Sequence, residues 1–240
     1  MQFTVTLAAL VCTTGCETAN LSRREQANVS YPSYILNLRP RPSLGAPPKL
    51  TTPLRLAVVQ VGELAPPKAM LDQLQSDRSL VAAVVGLPSW IETRGQSNNT
   101  EVVAGQVQAV CQLAQSVGAG HVFVFGGNMG SWSDANALRL FDLTLVGAAL
   151  LPSTKIIAEG KAAGTLIDTA NCEPVVLASV DAKRSVHSPT QLTDGKSETL
   201  RAALRDELTA ALAGELLRML GGHQNLAAAS HAESATAKTR

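Results

Sequence analysis

The spacing of apolar positions changes several times along the chain, and each change marks an element. Leu54–Gly62 (LRLAVVQVG) predicts the first strand. Pro66–Asp77 takes up helical spacing, with Pro66 and Pro67 at the tolerated helix start and Met70, Leu71 and Leu74 on one face. Leu80–Ile91 predicts a second strand that ends near Pro88, and Thr93–Thr100 a polar loop. Val103, Val107, Val110, Cys111, Ala114 and Val117 then form one inward stripe of a helix. Gly118 and Gly120 stop it, because glycine accepts the left-handed geometry of a helix end. His121–Phe125 (HVFVF) is short, β-branched and aromatic, as a doubly buried strand should be.

Ala137–Leu151 predicts a further strand, closed by Pro152. Two alternating runs follow, Ile156–Asp168 and Pro174–Val186, joined by Thr169–Glu173. Glu159, Lys161, Ala163 and Thr165 oppose Ala158, Gly160, Ala162, Gly164 and Leu166; Ser179, Asp181 and Lys183 oppose Val176, Ala178, Val180 and Ala182. This is an antiparallel hairpin with one wet and one covered face. Its uncharged face is mostly Ala and Gly without an aromatic girdle, which favours a hairpin packed on a helix over one that crosses a bilayer. Ser197–Leu220 reads as a helix capped by Ser197, with Leu200, Leu204, Leu208, Leu212 and Leu216 along it and Gly221-Gly222 ending it. A straight row at that spacing drifts around the helix, so some of the leucines should meet a second surface.

The expected fold class is α/β, a two-layer or three-layer sandwich on a mixed sheet. Its strand–helix–strand–helix–strand half implies right-handed parallel crossovers, followed by antiparallel strands, the long hairpin and a C-terminal helix. The expected organisation is a signal-like segment over 1–16, a Pro-rich tether over 17–53, the α/β domain over 54–222 and a disordered tail over 223–240.

Composition narrows the function. A net charge of +1 and 16% charged residues leave no basic field to gather nucleic acid, and 3% aromatics leave little on which to stack bases. Nucleic acid is therefore excluded as the main partner. Phe3–Val11 is an apolar run of signal-peptide length, too short to span a bilayer as a helix. It leads to Thr13-Thr14-Gly15-Cys16, which resembles a bacterial lipobox with Cys16 as the lipidated residue. Thr13 stands where that pattern prefers leucine, and no Lys or Arg precedes the apolar run. Glu17 follows the cysteine in place of the aspartate that marks inner-membrane retention, so the pattern implies delivery to the outer membrane. Acyl chains on Cys16 would hold the chain to the bilayer at about 0.8 kcal/mol per buried methylene. Pro32, Pro40, Pro42, Pro47, Pro48 and Pro53 make the next stretch an extended arm between lipid and domain.

The lipobox-like cysteine, LRLAVVQVG, LAQSVGAGHVFVFGG, RLFDLTLVGAALLP and EGKAAGTLIDTANCEPVVLASVDAKRSV ahead of a terminal helix together resemble the rhombotarget lipoproteins. Those are envelope proteins of unassigned activity found alongside rhomboid-type sorting proteases. More distantly the order is similar to the periplasmic domains of the curli-secretion lipoprotein and the Tol propeller protein. The likeness spans roughly residues 50–222 and implies an envelope lipoprotein without agreed catalytic residues. Gly120-His121 departs from the pattern, which usually carries Asp after the glycine pair's small residue.

Candidate chemistry is sparse. Gly126, Gly127, Asn128, Gly130 and Ser131 follow a buried strand, where α/β sheets often bind ligands, yet no Walker lysine and no following helix accompany them. The stretch is expected to be a loop, either a ligand-binding turn or, with better support, a plain connector. Cys111 and Cys172 are a candidate disulfide if the chain is exported; the competing reading is Cys111 buried as a small hydrophobe. His121, His187, His223 and His231 show no metal-ligand spacing, and Cys12 and Cys16 have no second ligand pair, so neither a metal nor a cofactor is expected. Ser131, Asp134 and His187 could form a hydrolase set, but no G-x-S-x-G turn presents the serine. The expectation is a non-catalytic binding or assembly component facing the periplasm, with an envelope protein or a second copy of itself as partner. The alternative is a soluble, cytoplasmic α/β enzyme or small-ligand binder using Gly126–Asn136.

Overall fold

A computed structural model describes residues 50–88, 100–135, 154–188 and 193–237. The first 49 residues, including Cys16 and most of the Pro-rich arm, lie outside the described residues, as do residues 89–99 and the predicted strand at 137–151. The elements in chain order are β1 (Leu54–Gln60), α1 (Lys68–Gln75), β2 (Val81–Gly86), α2 (Thr100–Ser116), β3 (His121–Ala135), β4 (Thr154–Asp168), β5 (Glu173–Ser188) and α3 (Thr193–Ala237).

The five strands form one mixed sheet in the order β2-β1-β3-β4-β5. β2 and β3 flank β1 in parallel, whereas β3, β4 and β5 run antiparallel to one another. The chain steps one way from β1 to β2 and back the other way to β3. A right-handed crossover places its helix on the face set by the direction of travel, so that reversal sends α1 and α2 to opposite faces. The sandwich therefore has three layers. On one face Leu54, Leu56, Val58, Phe123, Phe125 and Leu166 pack against Met70 and Leu74 of α1 and the leucines of α3. On the other, Ala57, Val59, Val122, Val124 and Ile167 pack against Val110, Cys111 and Ala114 of α2. The doubly apolar runs of β1 and β3 are what such a position requires.

α2 ends as the glycine predicts. Gly118 has left-handed backbone at φ 72°, and the N–H groups of Gly118 and Ala119 donate to Gln115 O and Ala114 O, both at 2.9 Å. This is the paired closure of a Schellman motif. Val117 falls just past the last turn and is 38% exposed, so it does not belong to the inward stripe.

α3 corrects two expectations. It begins at Thr193, so Ser197 lies inside it, and it continues through Gly221-Gly222 to Ala237. A glycine ends a helix by adopting positive φ, and neither glycine of this pair does. The segment expected to be a disordered tail is thus helical to Ala237. Leu204, Leu208, Leu212, Leu216 and Leu220 are all buried. The drifting row meets β4 and β5 and then α1, which supplies the second surface. Full burial of each such leucine contributes roughly 1.5–3 kcal/mol.

Candidate functional site

The glycine-rich stretch is not a loop. Gly126–Ser131 lies within the fifteen-residue strand β3 and pairs residue by residue with Ala158–Ala163 of β4. Both loop readings, ligand turn and connector, are corrected by this. Turn-forming residues became strand because a long, alternating β4 offers a full-length partner, and because glycine lets the layers close up. A Cβ on Gly127 would sit 2.8 Å from Lys161 O, and one on Gly160 would sit 2.6 Å from Leu208 Cδ1 of α3. Contacts that short force a shift, so side chains at these positions would push the layers apart.

Register assigns each side chain a face, because directly paired residues point the same way. Ser131 shares a row with Ala158 and Arg184 on the α3 side. There its hydroxyl lies 3.2 Å from Ser197 Oγ, and Arg184 pairs with Glu207 of α3. Asp134, Lys155 and His187 form a row on the opposite face. The conceivable Ser131–Asp134–His187 set is therefore divided by the sheet itself.

That opposite face carries the polar side of the hairpin. Its rows run Asn128–Lys161–Asp181, Gly130–Glu159–Lys183, Trp132–Ile157–Ser185 and Asp134–Lys155–His187. Lys183 Nζ lies 3.2 Å from Glu159 Oε2 and 5.4 Å from the centroid of the Trp132 ring. An exposed pair of this kind contributes little, within about 1 kcal/mol. The face is wet only from Lys161 outward, since Ala163 and Thr165, expected among the wet positions, are buried. Trp132 is also buried, and its Nε1 has no partner among the described residues. Among the described strands β5 is outermost on its side of the sheet, and it exposes Ser179, Asp181, Lys183, Ser185 and His187.

At the other end of the sheet the β4–β5 turn folds back over α2. Thr169 Oγ1 donates to Ala119 O at 3.0 Å and Gly120 O at 2.9 Å, and Gln115 Nε2 donates to Thr169 O. Cys172 packs on the buried cluster that contains Cys111. Burial pushes the Cys111 thiol up, with Cys172 and Asp168 adding to the effect. Burial lowers the pKa of His121, against the opposing charge of Asp168 across the β3–β4 pair. Asp168 also accepts from Ala170 N–H at 2.9 Å, which fixes the start of the turn.

Neither a family model nor a curated protein matches the chain. Among solved structures it is similar to the PelC dodecamer from Paraburkholderia phytofirmans, with 14% identity, 73% of this chain and 93% of that chain covered, and a TM-score of 0.34. It is similar to a minor lipoprotein from Acinetobacter baumannii at 10% identity, covering 71% of this chain and 92% of that one, with a TM-score of 0.32. It is also similar to lipoprotein GNA1162 from Neisseria meningitidis at 14% identity, covering 64% and 99%, with a TM-score of 0.31. At these scores the likeness transfers neither a role nor a residue to this chain.

Of the residues singled out from sequence, the structure brings Cys111 and Cys172 together and separates Ser131 from Asp134 and His187. Cys16 lies outside the described residues. No group of three or more metal-ligating side chains occurs among the described residues, and none of their helices is long and apolar enough to cross a membrane. Sequence reasoning missed Trp132 and Thr169. A signal for Trp132 was present, because a strand as long as β4 needs a partner of similar length on each side or leaves an open edge.

Proposed function

We propose that the chain is an envelope lipoprotein, anchored by acyl chains on Cys16, whose α/β body serves as a non-catalytic binding or assembly component. The observation that carries the non-catalytic part is the use of Gly126–Ser131 as paired strand. The stretch best suited to cradle a ligand is extended and held in register along β4, and its serine is turned onto α3. The anchor is supported by the apolar run before Thr13-Thr14-Gly15-Cys16 and by the prolines that separate it from β1. The docking part is supported by β5 being outermost among the described strands, an unpaired strand edge being a template for pairing with another chain. Its partner on this reading is an envelope protein or a second copy of the chain, reached from the periplasmic side of the outer membrane.

Metabolic labelling of the bacterium with a radiolabelled fatty acid tests the anchor. Label is expected on the wild-type chain and absent from Cys16→Ala, with the variant shifting from the membrane to the soluble fraction. Equal labelling of both chains, or none on either, would refute it.

A further inference from the structure

We propose that Cys111 and Cys172 form an intramolecular disulfide, made by exchange with a disulfide oxidant, that joins α2 to the β4–β5 turn. Two features of the fold point to it beyond the presence of two cysteines. The turn is brought onto α2 by bonds that do not involve sulfur: Thr169 N–H and Oγ1 both donate to Gly120 O, at 3.1 and 2.9 Å, and Gln115 reaches Thr169 O from one helical turn beyond Cys111. Cys172 is therefore set against the cluster that contains Cys111 by a frame already built. Cys172 also has φ 56 and is the one non-glycine residue at positive φ among the described residues. Glycine or asparagine adopts that geometry at lower cost. Cys172 holds that geometry in the turn while its side chain packs on the cluster that contains Cys111.

The exposures set the order of events. Cys172 is half-buried and reachable from solvent; Cys111 is buried beneath it. Cys172 loses its proton and attacks one sulfur of the oxidant, giving a mixed disulfide and releasing one oxidant thiolate, which takes up that proton. Cys111 then loses its proton and attacks Cys172 Sγ, and the second oxidant thiolate leaves and is protonated. Two protein thiols give up two electrons and two protons, and one oxidant disulfide becomes two thiols. Burial that holds Cys111 protonated makes it the resolving partner and the slower step. The bond would close the long segment between residues 111 and 172, the arrangement in which a crosslink restricts the unfolded chain most.

The oxidant in the cell depends on the envelope reading, so one experiment reads the two separately. Full-length protein is acid-quenched in its native host, alkylated without reductant, digested and mapped by mass. A linked Cys111–Cys172 peptide that disappears on reduction is expected. Both cysteines alkylated before reduction would overturn the disulfide, whatever the Cys16 peptide shows. An acylated Cys16 peptide beside free thiols removes the disulfide alone, and an unmodified Cys16 beside the linked peptide removes the anchor alone. Purified, reduced full-length chain is then exposed to oxidised glutathione. Closure to the linked form, with a thermal midpoint raised by roughly 5–10 °C over the reduced chain, is expected. A stable glutathione adduct on Cys172 with Cys111 still alkylatable would overturn the proposal. Cys172→Ser keeps Cys111 in the core and should lose all dependence of the midpoint on reductant; a midpoint still responsive to reductant in this variant would count against the pair.

Discussion

Gly164 offers a sharp test of how the layers are packed. It sits in the middle of β4, between Phe125 of β3 and Ala178 of β5. A Cβ added there would lie 2.3 Å from Phe123 Cζ, 2.7 Å from Phe123 Cε2 and 2.8 Å from Phe125 Cβ. Carbon atoms pack at about 3.5–4.0 Å, so the Phe123 ring would have to move by more than about 1 Å. It has nowhere to go: Phe123 is fully buried, stacked on Phe125 at 5.9 Å, and wedged among Leu56, Leu166 and the α3 leucines. Overpacking of this kind costs about 1–3 kcal/mol, and Gly164→Ala should lower stability by that amount. The assay is urea unfolding followed by circular dichroism, with an unchanged m-value and a lower midpoint. Gly105→Ala is the internal control. That glycine is exposed in α2 with no atom within 4 Å of the added methyl, so the change should stabilise by about 0.5–1 kcal/mol through helix propensity. Combining Gly164→Ala with Phe123→Leu should cost less than the sum of the single changes, because the smaller side chain vacates the contested space. A Gly164→Ala variant as stable as wild type, or strict additivity in the double variant, would refute the packing argument.

Other consequences follow from particular contacts. Leu212→Ala should cost about 2–5 kcal/mol, since Leu212 is fully buried between α3 and the sheet; the half-buried Leu217 should cost clearly less on truncation, and equal losses would misplace the buried face of α3. Thr169→Val keeps the shape but removes the hydroxyl that joins Ala119 O and Gly120 O, with an expected loss of about 1–2 kcal/mol in the same unfolding assay. His121 should make stability depend on pH. Burial depresses its folded pKa below the unfolded value, so its contribution is complete above about 6.5 and is lost as pH falls towards the folded pKa, where the unfolded chain binds a proton that the folded one resists. The slope of unfolding free energy between pH 7 and 5 should flatten in His121→Gln; an unaltered slope would show that the histidine is not held neutral by the fold.

Much of the architecture was legible because burial and periodicity agreed. Leu56–Val59 and Val122–Phe125 are apolar at every position and serve both faces of the sheet. The alternation in β4 and β5 predicted which residues face α3, and Gly118 predicted the end of α2. What misled was glycine read by local habit alone. Gly126, Gly127 and Gly130 carry turn signals, yet in the fold they are paired strand, and at Gly127 the absent side chain lets the β4 backbone come close. Gly221-Gly222 carries a stop signal, yet the pair keeps helical backbone. For the strand the deciding partner is distant in sequence, the β4 backbone at Lys161 against Gly127. The candidate site was legible only as a pairing of two cysteines. That the β4–β5 turn lies on α2 depends on Gln115 and Thr169, whose bond joins residues far apart along the chain.

The central claim is that Cys16 is an acylated N-terminus tethering this body to the envelope. Its most direct measurement is the mass of the N-terminal peptide of the protein isolated from the membrane fraction of its own bacterium. The account predicts a peptide that starts at Cys16 and carries the added mass of a diacylglyceryl group and an amide-linked acyl chain. A peptide that still contains residues before Cys16, with the thiol unmodified, would contradict it.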